Sequence, residues 1–341
     1  MKDYKKKYLA RLENSTTEVQ EKSTFYGNRC LYCYEPLLDS SSDFHEACNK
    51  RFFGQLKTPQ LAYSLDNLQE LATQVIQSQM AVTGVQAKVS LSLYKKQEKN
   101  VTKKLTIVGL YGDYILKSPS EHYAQLPELE SATMHMAAVC GINVVPHSLV
   151  KLQDKTLCYI TKRVDRTRKG KLHMEDMCQL SERLTEDKYK GSHEQVAKLV
   201  LKYSSSPLLD VSNFYEQVLF SFFIGNSDMH LKNFSLLEKE GQGLSLCPAY
   251  DLVPTALVNP ADKEELALTL NAKKRKLKYQ DFLAAYENSG LSKKVLDDTL
   301  ELFVYAKTEM LAVLEKSFVS SDNKIKYASL MNSRYIQLGL L

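Results

Sequence analysis

Residues 226–233 read Asn226-Ser227-Asp228-Met229-His230-Leu231-Lys232-Asn233, and a further carboxylate, Asp251, follows a short β-like stretch in Ala249-Tyr250-Asp251-Leu252. Phosphoryl transfer from ATP uses three oxygen-bearing side chains in this order. A carboxylate orients the attacking hydroxyl, an amide oxygen five residues on holds Mg2+, and a second carboxylate holds the metal between the phosphates. Asp228, Asn233 and Asp251 have that order and spacing. A tight loop can aim a base at the substrate and, at its next inward turn, an oxygen ligand at a hard cation. Asn and Asp are also ordinary turn formers, so the Asp-x4-Asn spacing does not carry the reading alone. Within the loop, His230 reads either as a brace held by a hydrogen bond or as a satisfied semi-buried histidine, and not as the proton-transfer group, because Asp228 already fills the role of base. Lys232 reads either as a cation near the γ-phosphate or as a solvated side chain.

The upstream half must supply groups for the phosphates. Thr83-Gly84-Val85-Gln86-Ala87-Lys88 enters a strand, and there Gly84 lets backbone N–H groups approach an anion; a plain turn into a strand is the alternative. Lys117 closes the short strand Tyr114-Ile115-Leu116-Lys117 and is the candidate phosphate-pairing lysine. Its expected partner is Glu130, on a helix over 128–140 that follows Pro127 and stops at Gly141. Glu130 lies one turn ahead of Met134 on the same face, which favours it over Glu128. Acids near a helix N-terminus are also welcome on dipole grounds alone.

Around these residues the patterns predict elements. Leu68, Leu71, Val75 and Ile76 predict a helix over 66–79. Val89, Leu91 and Leu93, alternating with Ser90, Ser92 and Tyr94, predict antiparallel sheet with the stretch holding Leu105, Ile107 and Val108. Cys158-Tyr159-Ile160 is extended and runs into Thr161–Arg166, the expected crossing between lobes. Helices are expected over 194–203, 213–224 and 293–318, the last with Leu296, Leu300, Phe303, Met310 and Leu314 on one face. Leu266–Leu270 reads as a strand, and the basic run Lys273–Lys278 as a solvated hairpin or a contact for RNA or an acidic partner. The plan is α+β and two-lobed: an N-terminal arm (1–60), a sheet-rich lobe (61–165) and a helical lobe (166–341).

Composition frames this. The 341 residues are 44% hydrophobic, enough for a core, and the net charge of +5 falls short of a nucleic-acid-binding signature. No run approaches the roughly 18 apolar residues of a membrane span, and nothing behind the lysine-rich N-terminus resembles a signal peptide, so an intracellular protein is expected. Seven cysteines, an odd number with no dense framework, suit reduced thiols. Cys30 and Cys33, with His45 and Cys48, have the donor types for one tetrahedral Zn2+; the alternative is a thiol cluster packed under Phe44, Phe52 and Phe53.

Several segments together resemble the HipA-type bacterial serine/threonine kinase toxins, in their shorter HipT-like branch. They are Gly84–Lys88, Ile115–Lys117, Leu126–Glu130, Lys162–Arg166, Glu175–Gln179, Gly225–Phe234 and Pro248–Asp251, with the closing Leu338–Leu341. The resemblance implies a protein-kinase-like fold with ATP and Mg2+ between the lobes. It makes Asp228 the base, places Asn233 and Asp251 on the metal and Lys117 on the phosphates, and turns the backbone from Lys162 to Val164 toward adenine. It also implies a cytoplasmic protein that phosphorylates an aminoacyl-tRNA synthetase, is restrained by an antitoxin encoded alongside, and reaches DNA only through that antitoxin. Kinases of this type can phosphorylate a hydroxyl in the loop ahead of Gly84, where this chain has Ala81 and Thr83, so self-phosphorylation in this loop is expected to fall on Thr83; the alternative is that Thr83 only favours the extended backbone entering a strand. The first 60 residues match the family less well. Two other readings stay open: a small-molecule phosphotransferase, which also uses Asp-x4-Asn, and a regulatory pseudokinase, against which the intact Lys117, Asp228, Asn233 and Asp251 argue.

Overall fold

The computed structural model describes residues 28–68, 70–71, 88–94, 103–108, 112–167, 169–239 and 241–341. A short helix, α1 (Glu46–Phe53), precedes a five-stranded sheet of β1 (Lys88–Tyr94), β2 (Lys104–Val108), β3 (Tyr114–Lys117), β4 (His147–Lys151) and β5 (Leu157–Lys162). The spatial order is β2-β1-β3-β5-β4, and every neighbouring pair is antiparallel. Alternation sends Val89, Leu91, Leu105 and Leu116 into one core, shared with Phe44, Phe52, Phe53 and Leu149. The register puts Lys88 directly opposite Lys117. Directly opposed residues project from the same face, so both ammonium groups leave the sheet side by side.

Between β3 and β4 runs α2 (Leu126–Val139), which has Pro127 in its first turn and gives way at Cys140 and Gly141, the latter at φ 85°. Leu129, Ala132, Met134, Met136 and Ala137 are all buried, so this helix is covered on nearly every side and carries Glu130 to 1% exposure.

The remainder is mostly helical. After the small ribbon β6 (Arg166–Thr167) and β7 (Gly170–Lys171) come β8 (Met174–Asp176), α3 (Met177–Leu180), α4 (His193–Tyr203) and α5 (Pro207–Ile224). A hairpin, β9 (Ser235–Lys239) and β10 (Gly243–Leu246), joins β8 in the order β10-β9-β8. Then follow α6 (Thr255–Val258), α7 (Tyr279–Asn288), α8 (Lys293–Lys316) and α9 (Ser321–Gln337). Their buried faces meet in a second core rich in aromatic rings, among them Phe214, Phe223, Phe303, Tyr327 and Tyr335. Phe223 stacks on Tyr335 at 4.3 Å between centroids. A sheet-rich half followed by a helical half is the α+β, two-lobed plan expected from the patterns.

Three expectations change. Helix α5 begins at Pro207, six residues ahead of the periodic stretch, because proline is at home in a first turn while Leu208 and Leu209 remain exposed. Leu266–Leu270 is not a strand: its apolar side chains are buried through a series of bends, and its pairing is limited to isolated bridges from Thr269 to Ser192 and from Leu270 to Lys273. The basic run is tied into the chain rather than solvated throughout, with Lys273 on Asp281 at 2.7 Å and Lys274 on Glu264 at 3.1 Å. Of the helix expected over 66–79, residues 65–68 and 70–71 are helical, and most of the rest lies outside the described residues. Helix α9 was not expected at all, since its apolar positions are interspersed with Lys, Asn and Ser.

Candidate active site

The Asp228 loop hangs from the end of α5. Gly225 terminates that helix at φ 72°, and a Cβ there would stand 2.6 Å from Leu330 Cδ2 and 3.1 Å from Ala256 Cβ. Both the backbone conformation and the space therefore demand glycine. Its carbonyl accepts the Ala256 N–H at 2.9 Å. Ser227 N–H donates to Thr255 Oγ1 at 2.7 Å, and its hydroxyl donates to Asp262 at 2.7 Å. The loop is thus stitched to the segment after Asp251, which fixes the Asp228 carboxylate relative to that of Asp251.

Within the loop, Asp228 N–H donates to Asn226 Oδ1 at 3.0 Å, and Asn233 Nδ2 donates to the Asp228 carbonyl at 3.0 Å. That bond commits the amide nitrogen of Asn233 and leaves Oδ1 as the atom it can offer a cation. Tyr189, a residue without any motif to mark it, donates its hydroxyl to Asp228 Oδ1 at 2.5 Å. Burial and the Asp228 carboxylate push the Tyr189 pKa up.

Asp251 sits at φ 61°, a left-handed conformation that Asp tolerates better than most residues. Two backbone bonds hold its approach: Ala249 N–H to the Asn143 carbonyl at 2.7 Å, and Val145 N–H to the Ala249 carbonyl at 3.0 Å. They dock this stretch onto the turn between α2 and β4. From there Asp251 contacts the Lys117 ammonium, and its other oxygen lies 3.6 Å from Lys88. Lys117 also binds Glu130 at 2.6 Å and stands over the Tyr159 ring at 5.4 Å from its centroid. Two like charges opposite each other on a sheet repel; Asp251 placed between them turns that into attraction.

The electrostatics follow. Burial favours the neutral amine of Lys117, but Asp251 and Glu130 outweigh it and raise its pKa. Burial likewise opposes ionisation of Asp251, yet Lys117 and Lys88 win and hold it far below the usual carboxylate range. Glu130 shares Lys117 with that stronger competitor, and burial pushes it up to about 7. The charges of Asp228 and Asp251 both act on His230 and Tyr189.

His230 does not brace the loop in the way expected: its Nδ1 is buried without a partner, and its ring meets Tyr189 edge-on at 5.0 Å. Burial lowers its pKa. The Nδ2 of Asn226 is likewise buried and unpartnered. Orphaned polar atoms beside a carboxylate suit a site completed by ligand or water. Lys232 is engaged by Asp176 at 2.7 Å, which turns it from a γ-phosphate cation into a link between the loop and α3. At the crossing, the Lys162 N–H donates to the Pro146 carbonyl and the Arg163 N–H to the Asp113 carbonyl, both at 2.8 Å. Both donors are thus engaged within the protein. Thr83, Gly84, Val85 and Gln86 lie outside the described residues; Lys88 is described and reaches Asp251.

A second cluster lies on the sheet-rich half. The ligand atoms of Cys30, Cys33, His45 and Cys48 all fall within 4.8 Å of one another. Bonds of about 2.3 Å to sulfur in a tetrahedron put donors about 3.8 Å apart, so a small contraction closes this set around Zn2+. His45 Nε2 donates to the Pro36 carbonyl at 3.0 Å, which leaves the Nδ1 lone pair aimed at Cys33 and Cys48, 3.4 and 3.7 Å away. A carbonyl fixing the tautomer from outside is the usual support of a metal-binding histidine.

The chain is similar to several known proteins. A Sinorhizobium fredii protein named "Putative kinase Y4dM" is 31% identical over 64% of this chain, and the match spans 56% of that relative's length. A Haemophilus influenzae relative with the same general name is 27% identical over 82% of this chain and 86% of its own. Among solved structures, the fold matches a chain of the Shewanella oneidensis MR-1 toxin–antitoxin complex of HipA, HipB and operator DNA. The TM-score is 0.63 at 20% identity, covering 78% of this chain and 70% of that one. Residues 80–310, which hold every active-site residue described above, match the model of the HipA-like C-terminal domain, and the chain belongs to that family.

Proposed function

We propose that the chain is an ATP-dependent serine/threonine protein kinase, the toxin of a toxin–antitoxin pair, acting in the cytoplasm on a component of translation such as an aminoacyl-tRNA synthetase. The observation that carries the reading is Lys117 held between Glu130 and Asp251 while Asp228 and Asn233 share one loop at the same cleft. Mg-ATP, when bound, supplies the phosphoryl group and a metal that neutralises the charge developing on it. Asn233 Oδ1 and the Asp251 carboxylate are the oxygen donors for the metal. Lys117 and Lys88 offset phosphate charge, and Glu130 keeps Lys117 pointed into the cleft. Asp228 accepts the proton of the attacking hydroxyl and aligns it; where Oδ1 is the acceptor, the substrate hydroxyl displaces that of Tyr189. Among the described residues no helix is long and apolar enough to cross a membrane.

The N-terminal cluster is read as a structural Zn2+ site, closed by four protein donors and without an open position for chemistry. An antitoxin protein is the expected partner, and the HipB found with HipA in the Shewanella complex supports looking for one.

Incubation of the purified chain with γ-labelled ATP, Mg2+ and cell extract tests the proposal. Label on a protein, phosphoserine or phosphothreonine on hydrolysis, and loss of label with Asp228→Asn while nucleotide still binds, are the expected results. Label on a metabolite would move the reaction to small-molecule phosphotransfer. An Asp228→Asn variant with full turnover would overturn the assignment of the base.

A further inference from the structure

The Cys/His cluster does not stand apart from the active site. The turn carrying Cys30 and Cys33 lies against α2, the helix that holds Glu130. Tyr34, at φ 65° directly after Cys33, shares a hydrogen bond with Ser131 Oγ at 2.6 Å, one residue beyond Glu130. His135 Nε2 donates to the Tyr32 carbonyl at 2.7 Å, and the Tyr34 ring stacks on the His135 ring at 4.5 Å. Ser131 and His135 are one helical turn apart and make a single strip along α2. The same turn also covers β4, the edge strand: Leu149 N–H donates to the Leu31 carbonyl at 3.2 Å. Farther along, Arg29 and Glu35 both reach Lys316 at the end of α8.

The turn is closed by the Tyr34 N–H on the Cys30 carbonyl and the Cys30 N–H on the Glu35 carbonyl, both at 2.9 Å, and Cys30, Leu31 and Tyr34 are buried in the core of the sheet-rich half. His45 and Cys48 approach from the start of α1, and the Leu31 N–H on the Asp43 carbonyl at 2.9 Å already ties that segment to the turn. A four-donor metal centre adds to these contacts a link between side chains: it fixes both segments together and, with them, the position of Tyr32 and Tyr34 on α2.

We infer that Zn2+ bound by Cys30, Cys33, His45 and Cys48 acts as a positioning clamp for the kinase site, holding α2 so that Glu130 stays on Lys117. The inference rests on the zinc and kinase readings above and goes beyond both. A zinc centre confined to folding its own segment would leave the Glu130 helix indifferent to the metal. A clamp makes the Lys117–Glu130 pair, and with it phosphate binding, depend on the metal. A stronger zinc chelator would then switch the kinase down without touching any catalytic residue.

The test uses the full chain with Mg2+ in excess throughout. Elemental analysis first asks for one zinc per chain; its absence would remove the zinc reading, and this inference with it, and leave the kinase reading standing. Zinc is then stripped with a zinc-selective chelator and restored. Expected is a rise of at least tenfold in amide exchange over 126–139 with no change over 207–224, together with a KM for ATP raised at least fivefold, both reversed by added zinc. The exchange readout holds even if the chain has no measurable turnover. Should the stripped chain unfold as a whole, the zinc-loaded Tyr34→Phe, His135→Leu double variant decides, because it severs the two bonds to α2 with all four ligands in place. A higher KM and faster exchange in that variant support the clamp. Unchanged exchange over 126–139 after stripping, or in the double variant, overturns it.

Discussion

Glu130→Gln separates the charge of the lysine's partner from its shape. The amide keeps an oxygen where Lys117 can donate, so the packing of α2 is preserved and only the carboxylate is lost. A hydrogen bond to a charged group is worth about 1.5–3 kcal/mol against about 1 kcal/mol for a neutral one, so Lys117 loses about 0.5–2 kcal/mol of orientation. At 1.36 kcal/mol per tenfold, kcat/KM for ATP should fall about 2- to 30-fold. The effect depends on pH, because burial places Glu130 at about 7. At pH 6 roughly nine in ten copies of the wild-type side chain are already protonated and resemble the amide, whereas at pH 8 roughly nine in ten are ionised. The ratio of wild-type to variant kcat/KM should therefore rise from below about fourfold at pH 6 to nearly its full value at pH 8. Stability should move the other way. A carboxyl whose pKa is raised in the folded state destabilises that state as pH climbs from the unfolded value near 4.5 through 7, by at most about 3 kcal/mol. Glutamine escapes this, so the variant should melt higher than wild type at pH 8 and at the same temperature near pH 4.5. Steady-state ATP turnover and thermal melts across pH 5–8.5 measure both. A ratio that stays flat with pH, or a variant as active as wild type at pH 8, would refute the role given to the Glu130 charge.

Asp251→Asn should weaken nucleotide binding at least tenfold in Mg2+ and much less in its absence, read with a fluorescent ATP analogue; equal losses in both conditions would mean that Asp251 serves Lys117 rather than a metal. Tyr189→Phe removes the donor that competes with substrate for Asp228, a half-exposed bond worth about 1 kcal/mol, so protein phosphorylation should speed up about fivefold; a tenfold drop would instead make the hydroxyl an orienting group for the base. Burial lowers His193 to about 3, and both its nitrogens are buried without partners. Its neutral ring therefore supports the fold fully above the unfolded pKa near 6.5, and that support fades as pH falls from 6.5 toward 3, by about 1.4 kcal/mol per unit. His193→Leu should flatten the acid limb of the melting curve by one proton, as measured by Tm between pH 4 and 7.

Much of the catalytic reading lay in local spacing. Asp228, Asn233 and Asp251 are separated by a loop and a hairpin, and both are short enough for sequence to dictate their geometry. Strand alternation around Val89 and Leu91, and proline at the head of α2, act over a few residues and were legible for the same reason. The choice of Glu130 over Glu128 followed from helical period, and the structure places Glu130 on Lys117. Tertiary structure decided what depends on chains meeting from afar. Tyr189 reaches Asp228 across 39 positions, and Lys232 turns to Asp176 across 56, with no periodicity to announce either contact. The Leu266–Leu270 run misled because burial demands apolar side chains whatever the backbone does, and bends satisfied the demand as well as a strand would have. The donors of the Cys/His cluster were visible in the sequence, but their docking on the Glu130 helix was not. It is made by the Tyr32 carbonyl, a tyrosine hydroxyl and a histidine ring, groups that occur in every protein and gain a partner only when the fold brings one within 3 Å.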